Sequence, residues 1–461
     1  MYDYFIEAVD LRQHPLIHAK AKTKAKYFIA LSYIVHRLIE ESENVDTTYG
    51  VIQKIEIELL NSLDNVGNLR EYIKKRLDIY RNVFFSIPIL DSNKNDLEDR
   101  QKYLKYFFSK RAHKNYRMYL MCDVALIVLD NNLVKQGAEE IKQFLSKRSG
   151  KKIDTLVEEL TNKNTTLNNS SKASALLNQY QKNLSFISKK ERRIIVTANM
   201  SAGKSTLINA LIGKSIARTS QEVCTGSPCY IFNKAFEDNN IALDAKNMIL
   251  NASENELKTY KWGNKISISS YFYCLVEESP RICLIDTPGV NAALNKEHAK
   301  FTYSELLKRQ YDRIIYVISP TSLGTDAERK YLQWIFQNAP RDKVIFVLNK
   351  LDNYRSCSDS IDDSIKGLRN DLEEIGFENP VICPISAYFS LLIKLKMTGQ
   401  VLSEDENDEY TFFMKKFNRS SYDLSRFYEG SEVLDSDSEE VMLTKRTGLY
   451  GLEQLIYGGE S

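Results

Sequence analysis

Residues 193–213, RIIVTANMSAGKSTLINALIG, decide the predicted fold of this 461-residue chain. The apolar run 194–196 predicts a buried strand, and the apolar spacing over 204–212 predicts a helix. A polar turn joins the two, and strand, turn and helix together are the context that a phosphate-binding loop requires. Backbone N–H groups and the helix dipole attract an anion at such a helix start. The stretch therefore predicts a phosphate site in an α/β domain.

The residues of this loop have separate predicted roles. Lys204 can reach the β- and γ-phosphates of a nucleotide, and the Ser205 hydroxyl can bind Mg²⁺. Ala198 stands where the pattern G-x-x-x-x-G-K-[ST] has its first glycine, which alanine can replace only if its φ is negative. A chance Gly-Lys-Ser at a helix start is the competing interpretation of the motif alone. We expect nucleotide contacts from Asn199, Met200, Ser201, Ala202, Gly203, Lys204, Ser205 and Thr206.

Composition limits the class of protein. The chain has 63 Lys and Arg against 61 Asp and Glu, a net charge of +2, so no basic excess predicts a nucleic-acid partner. Its seven scattered cysteines predict reduced thiols and a cytoplasmic location. The N-terminus has no signal-peptide pattern, and the longest apolar run, 118–129, is too short to span a bilayer. We expect a cytoplasmic protein whose membrane contact, if it has one, is peripheral.

Three parts are predicted along the chain. Residues 1–161 carry apolar residues at helical spacing, which predicts an all-α domain, although amphipathic membrane helices would show the same stripes. Residues 162–175 are a polar linker. Residues 176–461 alternate strands with helices, which predicts a mostly parallel sheet with helices on both faces. Within this last part, the acidic stretch 398–446 is interpreted as an insertion of solvated loops.

The predicted elements can be compared one by one with a structure. In the first part, helices are predicted over 26–40, 51–63, 69–81, 96–110, 115–133, 139–145 and 153–160, with a turn at Asn65 and Gly67. In the last part, strands are predicted over 194–197, 230–232, 282–285, 314–318, 344–348 and 381–385. Helices are predicted there over 176–187, 204–212, 327–337, 360–375 and 450–457.

A second motif, Asp-Thr-Pro-Gly at 286–289, follows the predicted strand 282–285. A carboxylate at the end of a strand beside a phosphate loop can hold Mg²⁺ through water, so Asp286 is a predicted metal ligand. The Gly289 N–H can contact a γ-phosphate, and glycine lets the backbone turn when that phosphate leaves. Gly289 is therefore a predicted catalytic residue.

A third motif, Asn-Lys-Leu-Asp at 349–352, predicts recognition of guanine. The Asp352 carboxylate can accept from guanine N1–H and N2–H₂, donors that adenine does not match, which argues against ATP. Asn349 can hold the loop, and the Lys350 stem can lie along the purine. Ser386 and Ala387 follow the last predicted strand, where the Ala387 N–H can reach guanine O6.

Thr225, in the stretch Thr-Gly-Ser-Pro at 225–228, is a candidate for the loop that closes over the γ-phosphate. Its hydroxyl could complete the Mg²⁺ shell, a role that rests on the order of the motifs. Threonine is also frequent in ordinary loops.

These motifs, in this order over about residues 190–457, resemble the GTPase domain of the translation-factor-related class, and their details resemble the bacterial dynamin-like GTPases within it. The similar stretches are the loop with Ser201, Thr-Gly-Ser-Pro at 225–228, Asp-Thr-Pro-Gly-Val-Asn at 286–291 and Thr-Ser-Leu-Gly-Thr-Asp at 321–326. The resemblance implies Mg²⁺-dependent GTP hydrolysis coupled to dimerisation of the GTPase domain, often on membranes. It also implies that Ser201 contacts the bridging oxygen or a monovalent cation, K⁺ or Na⁺.

The chain departs from that family in its water-positioning side chain and in the position of its helical residues. Met200 stands where dynamins have a water-positioning glutamine, and methionine cannot replace an amide in hydrogen bonding. Ras-like proteins have a glutamine directly after the glycine of this motif. That position is Val290 here, and Asn291 follows it. The helical residues also lie before the GTPase domain rather than after it. We therefore expect slow hydrolysis by a single copy, with the missing group supplied by a second copy.

Two other interpretations remain open. In the first, the chain is a nucleotide-gated interaction module with negligible hydrolysis, and residues 1–161 bind a protein partner. In the second, it is an RNA-associated GTPase, for which the sequence offers no basic appended domain.

Overall fold

The computed structural model describes residues 6–48, 63–81, 104–105, 107–110, 113–161, 173–217, 228–245, 247–259, 266–277, 279–290, 296–355, 359–431, 433–434 and 437–458. Several predictions lie outside these residues: Thr225, Asn291, nearly all of the helix predicted over 51–63, more than half of the helix predicted over 96–110, and most of the linker. No helix among the described residues is both long and apolar enough to cross a bilayer.

The chain divides into two compact units. The first contains Met1–Lys189, Ala235–Asn240 and Met248–Leu250, and the second contains Lys190–Lys234, Ile241–Asn247 and Asn251–Ser461. The division at Lys189 places the helix predicted over 176–187 in the first unit, not with the residues that follow it. The three-part division into 1–161, 162–175 and 176–461 remains a prediction.

The first unit is helical, as predicted. Its helices are α1 (Ala21–Thr48), α2 (Leu63–Ile79), α3 (Lys114–Val128), α4 (Asn131–Lys142), α5 (Lys147–Thr161) and α6 (Ser174–Ser188). The turn predicted at Asn65 and Gly67 is wrong, because both residues lie inside α2. The helix predicted over 115–133 is two helices. Leu129 takes a left-handed φ of 46°, and Asp130 caps α4 by accepting from the N–H groups of its first turn.

A buried carboxylate lies in the core of this unit. Asp123 on α3 is fully buried and accepts from the hydroxyls of Tyr27 and Tyr80. His14 also contacts it, at 2.9 Å through Nε2. The Leu16 N–H donates to His14 Nδ1, so the Nε2 nitrogen carries the hydrogen that His14 donates to Asp123. These bonds pair a polar group that would be costly to bury without partners.

The strands are β1 (Arg192–Ala198), β2 (Cys229–Asn233), β3 (Ala242–Asp244), β4 (Met248–Ile249, in the first unit), β5 (Ile266–Ser270), β6 (Ile282–Asp286), β7 (Arg313–Ile318), β8 (Val344–Leu348) and β9 (Val381–Pro384). Those of the second unit lie in the order β3-β5-β2-β6-β1-β7-β8-β9. Strands β6, β1, β7, β8 and β9 are parallel, and β2 is antiparallel to β6. The prediction of a mostly parallel sheet is confirmed, and the carboxyl ends of the five parallel strands share one edge.

The helices of the second unit are α7 (Lys204–Ile212), α8 (Glu254–Thr259), α9 (Lys296–Leu307), α10 (Asp326–Asn338), α11 (Ile361–Ile375), α12 (Ala387–Met397), α13 (Glu404–Phe417), α14 (Glu439–Arg446) and α15 (Leu449–Tyr457). The helices predicted over 204–212, 327–337, 360–375 and 450–457 are confirmed to within one residue at each end.

The acidic runs within 398–446 predict solvated loops, and that prediction is wrong for residues 404–406, 408–409 and 439–440, which lie in helices. Glu404, Asp405 and Glu406 form the first turn of α13, where Ser403 and Glu406 make a reciprocal capping box. Glu439 and Glu440 likewise open α14. Carboxylates at a helix N-terminus are stabilised by the helix dipole, so an acidic run can start a helix. Whether the stretch is an insertion remains a prediction.

Candidate functional site

The predicted phosphate loop joins β1 to α7 with two residues at positive φ. Ser201 has a φ of 61°, and Gly203, which precedes the first residue of α7, has a φ of 88°. A Cβ atom at position 203 would lie 2.4 Å from Asn349 Nδ2. Glycine is therefore required at position 203 by both backbone conformation and space. Ala198 ends β1 in extended backbone, which meets the condition on its φ.

Lys204 and Asp286 form an ion pair at the carboxyl edge of the sheet. In the register of β1 and β6, Val196 lies opposite Asp286. The Lys204 ammonium donates to Asp286 Oδ1, and the two side chains are 11% and 6% exposed. The predicted phosphate-binding lysine and the predicted metal-binding carboxylate are thus neighbours.

The donor groups beside this pair suit Mg²⁺. Asp286 contributes a carboxylate, and Ser205, in the first turn of α7, contributes a hydroxyl. Both are hard oxygen donors, which Mg²⁺ prefers, usually together with water and substrate phosphates. No group of three or more His, Cys, Asp or Glu side chains among the described residues could hold a metal by itself. Few protein ligands are the expected arrangement for a magnesium ion held largely by phosphates.

The loop after β6 lies beside the phosphate loop. Thr287 donates to the Val196 carbonyl through its hydroxyl at 2.9 Å, which fixes the chain two residues before Gly289. A Cβ atom added to Gly289 would lie 3.4 Å from Met200 Cγ. Met200 is 45% exposed. Met200 and Gly289, predicted separately as site residues, are therefore adjacent, and a thioether faces solvent beside them.

Asn349 connects three predicted parts of the site. Its Nδ2 donates to the Ala202 carbonyl at 3.0 Å, and its Oδ1 accepts from the Ala387 N–H at 3.0 Å. The side chain is buried, and the next residue, Lys350, has a left-handed φ of 64°. The phosphate loop, the loop after β8 and the start of α12 are consequently held together by one amide.

Asp352 lies in the same loop after β8. The Ser386 hydroxyl donates to Asp352 Oδ1 at 2.8 Å, so the two residues predicted to form the base pocket are in contact. Burial raises the pKa of the Asp352 carboxyl, and the hydrogen bond from Ser386 opposes that shift. The Ser386 hydroxyl therefore both orients this carboxylate and favours its charged form.

Sequence reasoning missed two residues that contact the site. Glu328 on α10 is 2% exposed and accepts from Asn199 Nδ2 at 2.6 Å and from the Tyr316 hydroxyl at 2.6 Å. Lys416 on α13 donates to the carbonyl of Asp352. A charged residue near a helix end is ordinarily solvated, so neither position carried a signal.

Comparisons with known proteins give one family match and several similar chains. Residues 194–351 match the model of the dynamin family. A probable transmembrane GTPase, FZO-like and chloroplastic, from Arabidopsis thaliana is 22% identical over 272 residues, 58% of this chain and 27% of that protein. Dynamin-like protein A from Bacillus subtilis (strain 168) is 25% identical over 164 residues, 35% of this chain and 13% of that protein. This chain thus matches well under half the length of these two relatives.

Among solved structures, Toc33 from Arabidopsis thaliana in complex with GDP and Mg²⁺ is 16% identical to this chain. The match covers 45% of this chain and 78% of Toc33, with a TM-score of 0.28.

Proposed function

We propose that this chain, which contains a GTPase domain of the dynamin family, binds GTP with Mg²⁺ and hydrolyses it faster when two copies associate. The observation that carries the proposal is the joining of the three motifs by the Lys204–Asp286 pair and by Asn349. The residues predicted to bind the phosphates, Mg²⁺ and the base can then contact one nucleotide. In this proposal the helical unit takes no part in the chemistry and binds a protein partner.

The residues at the phosphate end would act by position and charge. Lys204 would leave Asp286 and contact the β- and γ-phosphates, while Ser205 and Asp286 would hold Mg²⁺ together with Thr225. Mg²⁺ supplies neutralisation of the charge that develops on the transferred phosphoryl group. The Gly289 N–H would donate to the γ-phosphate, and Ser201 would contact the bridging oxygen or a K⁺ or Na⁺ ion.

The base end would select guanine. The Asp352 carboxylate would accept from guanine N1–H and N2–H₂. The Ala387 N–H donates to Asn349 Oδ1 in the structure, so to donate to guanine O6 it would have to give up or share that bond. An analogue without the matching donors leaves a buried carboxylate unpaired, which is the costly kind of mismatch. The Lys350 stem would cover one face of the purine.

The proposed association of two copies is based on the chemistry and exposure of the Met200 side chain. Its thioether can neither donate nor accept as an amide does, so it cannot position the attacking water. It is also exposed, beside Gly289. A second copy that covers this surface could supply the group, a device that adds several orders of magnitude in related chemistry.

GTP turnover across a series of protein concentrations tests this proposal, with and without K⁺ and with and without liposomes. A rate per molecule that rises with concentration supports completion of the site by a second copy. A further rise with liposomes supports peripheral membrane contact. A rate that is flat and near zero, together with tight GTP binding, would instead favour a nucleotide-gated interaction module whose helical unit binds a protein partner.

A further inference from the structure

The C-terminal end of α13 contacts the loop after β8. Lys416 is 8% exposed, and its ammonium donates to the carbonyls of Asp352 at 2.6 Å and Tyr354 at 2.5 Å. The Tyr422 hydroxyl donates to the same Tyr354 carbonyl at 3.1 Å. The ammonium also lies 4.5 Å from the centroid of the Tyr422 ring. A buried cation is thus committed to two main-chain oxygens of this loop.

The same helix also contacts the other side of the predicted base pocket. Phe413 and Phe417 on α13 contact the Phe389 ring, with centroids 5.6 Å and 5.3 Å away. Phe389 lies in the first turn of α12, three residues after Ser386, whose hydroxyl accepts from the Phe389 N–H. Helix α13 therefore supports both the carbonyl of Asp352 and the segment that donates to its carboxylate.

We propose that Lys416 is a positioning residue for base recognition: by holding the main chain at Asp352 and Tyr354, it orients the Asp352 carboxylate toward a 2-amino-6-oxopurine. The proposal rests on the proposed function and deepens it.

The two hydrogen bonds from Lys416 fix the position and orientation of the loop after β8, because bonds from a charged donor are short and strong. The carboxylate is attached to the same residue whose carbonyl Lys416 holds, so a shift of that carbonyl moves the carboxylate.

Burial makes the ammonium costly, which supports a specific role for it. Burial lowers the pKa of Lys416, and the nearby Asp352 carboxylate opposes that shift. An apolar side chain of similar length would fill the same space without this cost. What such a side chain could not do is donate to the two carbonyls.

The test compares affinities for GDP and IDP, which differ only in the 2-amino group that Asp352 would contact. Lys416→Met removes the donors and keeps the bulk, and exposed Lys415→Met is the matched control on the same helix. For Lys416→Met we expect affinity for GDP to fall about tenfold and the preference for GDP over IDP to fall severalfold. Lys415→Met should leave both unchanged, and Lys416→Arg should recover part of the preference.

The ratio of the GDP and IDP affinities distinguishes a positioning role of Lys416 from a general effect on stability. Equal losses for GDP and IDP in Lys416→Met, or no loss, would overturn the proposal. If Lys416→Met lacks the circular dichroism spectrum and cooperative unfolding of the wild type, Lys416→Gln, whose amide is too short for both carbonyls, is judged by the same ratio. The wild-type chain is measured first. If it binds GDP and IDP equally, that result contradicts the proposed function itself and not only the role of Lys416.

Discussion

The side-chain amide of Asn349 donates to the main-chain carbonyl of Ala202 over 3.0 Å, across 147 positions of sequence. This bond attaches the loop that would read the base to the loop that would hold the phosphates. The place that a Cβ atom of residue 203 would occupy is filled by the same amide. The loops that would recognise the two ends of a bound nucleotide are therefore joined by a direct hydrogen bond.

Replacing Asn349 should weaken both stability and binding. Asn349→Ala leaves the Ala202 carbonyl and the Ala387 N–H without this partner, so the free energy of unfolding should fall by about 2–4 kcal/mol. Affinity for GDP should fall at least about tenfold. Urea unfolding and calorimetric titration measure the two effects. Exposed Asn353→Ala is the control and should change stability by less than about 0.5 kcal/mol.

Replacing Lys204 should abolish nucleotide binding. Lys204→Ala removes the cation that would contact the phosphates, and it also leaves the mostly buried Asp286 without its ion-pair partner. Binding of a fluorescent GTP analogue measures the loss, with Lys366→Ala on the exposed side of α11 as the control. Unchanged GTP affinity in a folded Lys204→Ala chain would contradict the phosphate-loop assignment.

Replacing the Asp352 carboxylate should change base preference. In Asp352→Asn the amide can donate to the 2-oxo group of xanthine, so affinity for GTP should fall and affinity for xanthosine triphosphate should rise. The expected change in the ratio is about a hundredfold, since each matched polar contact is worth roughly 1–3 kcal/mol. Competition binding with both nucleotides measures it, and an unaltered preference would count against a guanine site.

The pH dependence of binding should reflect Asp352. Burial raises the pKa of this carboxyl above 3.8 in the folded chain, so it protonates at a higher pH than an ordinary aspartate. Because only the charged form accepts both guanine donors, GDP affinity should fall as pH drops through that raised pKa. The folded state here binds the proton more tightly than the unfolded state, so this group stabilises folding as pH falls. Titrations at successive pH values measure the binding effect, and Asp352→Asn should lack this component.

Replacing Glu328 should weaken its contact with Asn199 in the phosphate loop and lower the stability of the fold. In Glu328→Gln one of the two donors, Asn199 Nδ2 or the Tyr316 hydroxyl, must face an NH₂ group. We expect the free energy of unfolding to fall by about 1–3 kcal/mol, measured in urea. The control is Glu374→Gln, which affects an ion pair with Arg329 that is more than half exposed on both sides. Equal stability of the two variants would contradict a role for Glu328.

The sequence predicted local features of this chain well. The bounds of α7 and β8 agree with prediction residue for residue, because a run of apolar positions and its flanking turn lie within one short window. Errors arose where local signals compete. Asn65 and Gly67 suggested a turn yet lie within α2, and the acidic run before Asp408 suggested a loop yet begins a capped helix. Periodicity cannot tell a helix start from a solvated loop when both are polar.

By itself, the sequence determined the parallel α/β domain, the order of its motifs and the residue types that suit phosphate, Mg²⁺ and guanine. Only the tertiary structure decided which of these residues touch. The bond between Asn349 and Ala202, the contact of Glu328 with Asn199 and the reach of Lys416 to Asp352 join residues 64 to 147 positions apart. The physical reason is that hydrogen-bonded periodicity acts within a few residues along the chain, whereas strand order and helix packing set which distant side chains meet.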